Sequence, residues 1–295
     1  MIMNTMANNI DKLPVATGAA RSIGDILVSS GRLSANDAER ILQRQQKDKS
    51  QFGDAALALK LLKREDIDFA LSQQFDYAYL TEKDTSLSPE LVAAYKPFSR
   101  VGENLRAVRS QLMLRWFNID PAHKVIALVS PGSGEGRSFI AANLAIVFAQ
   151  QGQRTLLIDG NLRNARQHEL FMLGKSAGLS GILADRAGLE AALPVPGLAR
   201  LCVLPAGAVP PNPQELLGRP AFGALLQAAS EQFDVLIIDT PAGTDYADAE
   251  IIASRAGAAV VVTRKNRSSV PDAALLARRL QDSGVALVGS ILNDD

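Results

Sequence analysis

The hydrophobic pattern divides the chain into two parts. Over residues 19–80 apolar positions recur with helical spacing, and the segment 23–45 (IGDILVSSGRLSANDAERILQRQ) repeats 29 residues later as 52–74 (FGDAALALKLLKREDIDFALSQQ). Each copy predicts a short helix, a turn and a longer helix, which begins after Ser34 or Lys63 with acidic residues in its first turn. Two copies are too few for a solenoid, so we expect a small, compact, all-helical domain.

From Lys124 the pattern changes to short continuous apolar runs that alternate with amphipathic helices. The runs are VIALVS, RTLLID, RLCVLPA, DVLIID, AAVVVT and ALVGSIL. Such strands indicate a sheet covered on both faces, so the predicted fold class is α/β, doubly wound and mostly parallel. The expected organisation is a disordered tail over 1–18, the helical domain over 19–80, a linker over 81–98 and the α/β domain over 99–295.

Composition limits the classes of function. Lys and Arg total 31, as do Asp and Glu, so the zero net charge predicts no nucleic-acid partner. The N-terminus lacks the features of a secretory signal, and no apolar run reaches the ~18–20 residues that span a bilayer. The single cysteine, Cys202, fits a reducing compartment and is expected to be a buried small side chain in a strand. These features predict a cytoplasmic protein.

A glycine-rich turn follows the first strand of the α/β part. VIALVS runs into SPGSGEGRS (130–138) and then into a long helix, an arrangement that presents backbone N–H groups and a helix N-terminus to phosphate. In phosphate loops a basic residue after the last glycine contacts the β- and γ-phosphates, and the next hydroxyl holds Mg²⁺. Gly136, Arg137 and Ser138 occupy these positions. Taken alone, the turn is also compatible with a purely structural role.

Two acidic turns accompany this loop. Asp159 ends the strand of LLIDGNLR (156–163), and Asp239 ends DVLIID. The carboxyl ends of parallel strands meet at one edge of the sheet, where α/β proteins bind their ligands. A carboxylate behind a phosphate loop is what a magnesium–nucleotide complex needs. The sequence therefore predicts a nucleotide site at this edge.

The motifs together resemble the bacterial tyrosine kinases (BY-kinases) of capsule and exopolysaccharide export. The resemblance covers residues 99–293 and includes GEGRS followed by NLA, the LLIDxxxR turn, GLSGIL, LPAGAVPPNPQELL, DVLIIDTP and DAEII in the order of the family. Related ATPases that partition chromosomes lack PPNPQELL and carry an extra lysine early in the loop. Gly132 stands at that lysine position here, which disfavours a partitioning ATPase.

The resemblance implies a P-loop NTPase fold, ATP and Mg²⁺ as cofactors, and an ATP-dependent protein-tyrosine kinase that regulates exopolysaccharide polymerisation, chain length and export. The implied catalytic residues are Asp159, Arg137 and Asp239. The implied nucleotide-binding residues are Gly132, Ser133, Gly134, Glu135, Gly136, Arg137, Ser138, Phe139, Arg163 and Asn293. The implied metal site comprises Ser138, Asp159 and Asp239.

Three departures from the family pattern keep a second function open. Arg137 replaces the usual lysine, Asn161 replaces a second acidic residue, and the last 49 residues contain no tyrosine. The alternative is an ATP-binding assembly switch of the polysaccharide machinery with little or no kinase activity. If the chain is a kinase, Tyr77 and Tyr79 are candidate acceptors, although packing of their rings is an equally ordinary role.

The same resemblance implies partners. Glu103, Arg106 and Arg109 reproduce the E-x-x-R-x-x-R pattern that joins BY-kinases into a ring-type homo-oligomer, although a solvated helix face has the same pattern. A membrane-embedded chain-length determinant is the expected partner, which would hold the chain at the inner face of the plasma membrane. A tyrosine phosphatase is a further implied partner.

The helical repeat resembles the N-terminal domain of type II secretion ATPases, some of which bind cyclic di-GMP through motif arginines. Ser22 and Gln51 stand at the arginine positions here, so phosphate contacts would be weakened. We therefore expect a protein-docking module in preference to a cyclic di-GMP site.

Overall fold

A computed structural model describes residues 22–74, 80 and 84–294. The chain divides after residue 77 into two compact units. The first unit consists of four helices: α1 (Ile23–Ser29), α2 (Ala35–Asp48), α3 (Phe52–Ala58) and α4 (Arg64–Gln74). The helices follow the predicted repeat of a short and a longer helix in each copy.

Local capping and a small apolar core account for the helical unit. The Ser34 hydroxyl accepts a hydrogen bond from the Asp37 N–H (3.0 Å), and the Asp66 carboxylate accepts one from the Lys63 N–H (3.1 Å), so both longer helices begin where the sequence predicts. Helix α1 packs on α4, and α2 packs on α3. Leu33 and Leu62, which align in the repeat, are both buried in the core.

The second unit is built on a seven-stranded sheet of order β3-β4-β2-β5-β1-β6-β7. Its strands are β1 (Val125–Val129), β2 (Thr155–Asp159), β3 (Leu193–Pro194), β4 (Leu201–Leu204), β5 (Val235–Asp239), β6 (Ala258–Arg264) and β7 (Ala286–Asn293). All pairs are parallel except β3 with β4. The six predicted strands are confirmed, and the short β3 is the addition.

Helices cover both faces of this sheet. They are α5 (Val92–Tyr95), α6 (Arg100–Leu112), α7 (Arg137–Gln150), α8 (Gln167–Leu170), α9 (Gly178–Leu183), α10 (Pro213–Leu217), α11 (Pro220–Gln232), α12 (Asp248–Ala256) and α13 (Val270–Asp282). A π-helical turn over Met113–Phe117 extends α6. Two apolar clusters, one on each face, form the core, which confirms the doubly wound α/β fold. Within the described residues no helix is both long and apolar enough to cross a bilayer.

The described part of the predicted linker, residues 84–98, packs onto the α/β unit. Leu91, Ala93 and Ala94 are fully buried or nearly so. The Ala93 N–H donates to the Asn143 side-chain oxygen (2.8 Å), and the Gln150 side-chain amide donates to the Ala93 carbonyl (2.8 Å). The single helix here, α5, ends shortly before Pro97, and the apolar side chains of the segment complete the core around α7.

Candidate active site

The phosphate loop joins β1 to α7 at the carboxyl edge of the sheet. Gly134 (φ 73°) and Gly136 (φ 88°) take left-handed conformations, which an L side chain rarely adopts. A Cβ on Gly136 would lie 2.2 Å from Nδ2 of Asn293, whose amide donates to the Glu135 carbonyl (3.2 Å). The structure therefore brings Asn293, at the end of β7, against the loop that the sequence predicts as the phosphate site.

Glu135 braces this loop from within. Its side chain is buried, and its carboxylate accepts the Gly132 N–H (2.9 Å) and the Ser268 hydroxyl. Ser133 and Gly134 are exposed, and Phe139, in the first turn of α7, is partly buried against the apolar core. A carboxylate occupied in this way leaves the backbone of Glu135, and not its side chain, to face an anion.

Arg137 is buried behind the loop. Its Nε donates to an oxygen of Asp239 (3.2 Å), and its guanidinium also donates to the Ser130 hydroxyl. The pair with Asp239 is enclosed, since the arginine side chain is 9% exposed and the aspartate 0%. In this structure the basic residue of the loop is thus held by the acid of β5.

Asp159 and Asp239 form a buried acidic pair. They end adjacent strands and lie in register with one another, and both are fully buried. Asp159 accepts the backbone N–H groups of Asn161 (3.2 Å), Arg166 (3.0 Å) and Gln167 (2.9 Å). Burial first, and the neighbouring Asp239 charge second, raise the pKa of Asp159 from 3.8 to about 7. The edge therefore holds a carboxyl group that can take up or release a proton near neutral pH.

Gln167 connects the two acids, and the sequence analysis missed it. Its side-chain amide donates to Asp239 (2.8 Å) and to the Ser138 carbonyl (3.2 Å), while its backbone holds Asp159. The residue is fully buried, and among the described residues its side-chain oxygen has no hydrogen-bond partner. The sequence gives no signal for this role because a glutamine in a polar turn normally faces water.

Arg163 points along the edge to α12. It forms a bidentate pair with the fully buried Asp248 (2.7 and 3.2 Å), and its guanidinium carbon lies 3.8 Å from the ring centroid of Tyr246. The hydrogen bond to Asp248 is the main reason that the pKa of Arg163 is raised. Asn161, at the position of the missing acid, accepts the Asn164 N–H (3.0 Å) and so shapes the same turn.

Two further arginines approach the loop and were not predicted. Arg264 donates to the Gly134 carbonyl (3.2 Å), and a guanidinium nitrogen of Arg267 lies 2.9 Å from the position of a Cβ on Gly134. Arg264 ends β6 and Arg267 follows it, both in the basic stretch RKNRS, which was the available signal.

The remaining predicted residues lie apart from this constellation. On α6, Arg106 pairs with Glu103 of the same helix and donates to the Pro97 carbonyl (2.7 Å), and Arg109 donates to Val147 (3.3 Å). Cys202 is a free thiol in β4, as the sequence analysis expects, but it is only partly buried; that burial raises its pKa. Tyr77 and Tyr79 lie outside the described residues.

The chain matches known proteins across this unit. The family model of the ATPase MipZ matches residues 124–283, which include the loop and both acidic strand ends. Tyrosine-protein kinase YwqD of Bacillus subtilis is 33% identical over 211 residues, which cover 72% of this chain and 88% of that protein. The putative tyrosine-protein kinase CapB of Staphylococcus aureus is 32% identical over 217 residues, covering 72% of this chain and 92% of that protein.

A solved structure agrees with these sequence matches. The kinase domain of the Escherichia coli tyrosine kinase ETK superposes with a TM-score of 0.68 at 29% identity, over 72% of this chain and 84% of that chain. The match therefore spans nearly the whole of a kinase domain and not only its phosphate loop. The α/β unit of this chain belongs to the ATPase family of MipZ. The chain also belongs to the family of bacterial tyrosine-protein kinases.

Proposed function

We propose that the chain is an ATP-dependent protein-tyrosine kinase that regulates exopolysaccharide polymerisation, chain length and export. The observation that carries the proposal is the buried pair of Asp159 and Asp239, side by side on adjacent strand ends behind a glycine-rich loop. Burying two neighbouring carboxyl groups is costly, and such groups concentrate at functional sites. Family membership supports the transfer of phosphate to tyrosine as the chemistry of this site.

The chain's own residues divide the work in this proposal. Backbone N–H groups from Ser133 to Ser138, near the N-terminus of α7, receive the phosphates, while the Gly132 N–H stays with the Glu135 carboxylate. Asp159 takes the proton of the tyrosine hydroxyl as the general base of the site. Asp239 and Gln167 hold the phosphate loop and the two acids in fixed positions relative to one another.

The residues fit magnesium and ATP. A left-handed Gly134 and Gly136 give the backbone the concave form that phosphate needs, and the Ser138 hydroxyl, Asp159 and Asp239 are oxygen ligands of the kind that Mg²⁺ prefers. When bound, the ion neutralises charge that develops between the β- and γ-phosphates.

One observation favours the second candidate, an assembly switch with little or no kinase activity. Arg137, which should contact phosphate, is engaged by Asp239 and Ser130. For Arg137 to contact a nucleotide, its guanidinium would have to leave the buried ion pair with Asp239. Such competition between Asp239 and phosphate is compatible with a slow switch as well as with a weak enzyme. Asn161 supports the same alternative because it removes one charge from the edge.

Partners follow from the proposed kinase. We infer a cytoplasmic location, at the inner face of the plasma membrane, through a membrane-embedded chain-length determinant whose tail completes the site. The helical unit serves as a protein-docking module in this scheme, and a tyrosine phosphatase reverses the modification. Glu103 now forms an ion pair with Arg106 of the same helix. Ring assembly through Glu103, Arg106 and Arg109 requires the exposed Glu103 carboxylate to replace this ion pair by a contact with a neighbouring subunit.

The test is phosphotyrosine formation by the purified full chain with Mg–ATP, alone and with the cytoplasmic tail of the chain-length determinant. A random copolymer of glutamate and tyrosine serves as an exogenous acceptor, and Asp239→Asn as the control variant. We expect labelling of the copolymer by the parent and none by the variant. ATP binding without any phosphotyrosine, even with the partner tail present, would replace the kinase by the assembly switch.

A further inference from the structure

We propose that Tyr246 is a phosphate acceptor of this chain, with Arg163 as the counter-charge for the phosphotyrosine; this inference rests on the proposed kinase function. Tyr246 lies in the loop between β5 and α12, and its side chain is exposed, with 48% of the residue's surface accessible. The loop follows Asp239 directly. The acceptor is therefore on the same edge of the sheet as the phosphate loop.

The position of this loop is fixed by hydrogen bonds to the phosphate loop itself. The Gly243 N–H donates to the Ser130 carbonyl (2.8 Å), and Thr244 donates to the Pro131 carbonyl through its N–H (3.1 Å) and its hydroxyl (2.7 Å). Tyr246 is two residues further on, so its Cα lies within about 7 Å of the Thr244 Cα. The tyrosine is thus tethered close to the phosphate loop, which in the proposed function holds the γ-phosphate.

Tyr95, the other tyrosine that the structure describes, is unsuited to this role. Its hydroxyl donates to the Leu87 carbonyl (2.9 Å) and accepts the Leu87 N–H (3.1 Å), which ties the oxygen into the packed segment before α6. Tyr246 is instead 48% exposed, and the Arg163 guanidinium lies over its ring. Exposure and a nearby cation distinguish Tyr246 as an acceptor.

The reaction balances with ATP as the only co-reactant. The phenolic oxygen of Tyr246 bonds to the γ-phosphorus, the bond from that phosphorus to its bridging oxygen breaks, and ADP leaves with the electron pair. The phenolic proton passes to the Asp159 carboxylate. The product carries about −1.5 to −2 charge at neutral pH and three strong acceptor oxygens.

Arg163 gives the modification a readout within the fold. Its guanidinium now holds the buried Asp248 at the first turn of α12 through two hydrogen bonds. A phosphate on the ring that already contacts this guanidinium competes with Asp248 for it. Phosphorylation of Tyr246 would therefore loosen the start of α12.

Mass spectrometry of the full chain after incubation with Mg–ATP and the glutamate–tyrosine copolymer tests the assignment. We expect phosphate on Tyr246 of the parent. Tyr246→Phe, which keeps the ring against Arg163, should lose most self-phosphorylation yet still label the copolymer. The matched double variant Tyr77→Phe/Tyr79→Phe should keep the signal of the parent.

The outcomes separate this inference from the kinase itself. Copolymer labelling with Tyr246 unmodified, or undiminished self-phosphorylation of Tyr246→Phe, overturns the acceptor and leaves the kinase standing. Loss of copolymer labelling in a Tyr246→Phe protein with unchanged thermal unfolding also overturns it, because the hydroxyl would then serve activity. If neither the chain nor the copolymer is labelled, even with the cytoplasmic tail of the chain-length determinant added, the kinase and the acceptor fall together.

Discussion

The helical unit and the α/β unit treat charged side chains in opposite ways. In the described helical unit every charged side chain is at least partly exposed, and the only buried polar residue is Ser72. The α/β unit buries Glu135, Arg137, Asp159, Asp239 and Asp248. All five lie in the phosphate loop, at the ends of β2 and β5, or at the start of α12.

This difference indicates where the fold gives up stability. Taking a charge out of water costs several kcal/mol, and a partner in the interior returns only part of that cost. The helical unit avoids this cost and relies on caps and a small apolar core. The α/β unit bears this cost at one edge of its sheet. This is the edge at which the proposed nucleotide site lies. The predictions below test this contrast, from the largest effect to the smallest.

Removing the buried cation should have the largest effect on stability. Arg137→Met leaves Asp239 without its ion pair beside Asp159, and should lower the free energy of unfolding by about 3–5 kcal/mol. Urea unfolding followed by the fluorescence of Trp116, the single tryptophan, reports on this unit. The double variant Arg137→Met/Asp239→Asn should recover much of the loss. A loss below about 1 kcal/mol in the single variant would mean that the pair behaves as a surface pair.

Gln167→Leu comes next and separates positioning from folding. It removes the amide that joins Asp239 to the Ser138 carbonyl but keeps the backbone bond to Asp159. We expect a fall of about 10–100-fold in copolymer phosphorylation, or in Mg²⁺ affinity, as for other residues that orient metal ligands. The conservative variant Gln167→Asn, whose side chain is shorter, should give values between those of the parent and Gln167→Leu. Unchanged Mg²⁺ affinity and activity in Gln167→Leu would show that the side chain of Gln167 serves only to fill space in the core.

The acidic pair predicts a pH dependence with a definite sign. Because the pKa of Asp159 rises from 3.8 to about 7 on folding, the folded state holds this proton after the unfolded state has lost it. This group therefore makes the free energy of unfolding fall as pH rises from about 4 to about 7, with no further change above. Urea midpoints measured across this range should show the slope in the parent and a weaker one in Asp159→Asn. Equal slopes would contradict the raised pKa.

The smallest effect belongs to the helical unit. The Arg64 side chain is 69% exposed and lies 3.4 Å from Asp68 one turn later on the same helix. Arg64→Gln should change the free energy of unfolding by less than about 1 kcal/mol. Urea unfolding followed by circular dichroism measures it, and Trp116 fluorescence should not shift. A loss as large as that of Arg137→Met would remove the contrast between the units.

Patterns that are local along the chain predicted most of the fold. Continuous apolar runs located six strands, and the repeat located four helices and the starts of the two longer ones. The short β3 was missed because two residues, one of them Pro194, have no strand pattern. The linker prediction relied on prolines, whereas Leu91 and Ala93 pack against α7 through contacts some 50 residues apart.

Most members of the site could be predicted, but not Gln167 and not the pairings between side chains. Glycines and strand-end acids identified the loop, Asp159 and Asp239. Nothing local indicates that Arg137 reaches an acid 102 residues away, or that Gln167 reaches the same acid from 72 residues away. Such pairings depend on the order of strands in the sheet, which places β5 between β1 and β2. The roles of Arg163 with Asp248, and of Glu135 inside the loop, have the same origin.

The central claim is that the buried charges at this edge are kept for nucleotide and magnesium. Calorimetric titration of ATP into the purified full chain, with Mg²⁺ and again with a chelator, tests it most directly. We predict binding by the parent that is strengthened by Mg²⁺, and loss of that strengthening in Asp239→Asn, with Arg64→Gln behaving as the parent. No ATP binding by a folded parent, or binding that is indifferent to both Mg²⁺ and Asp239, would contradict the claim.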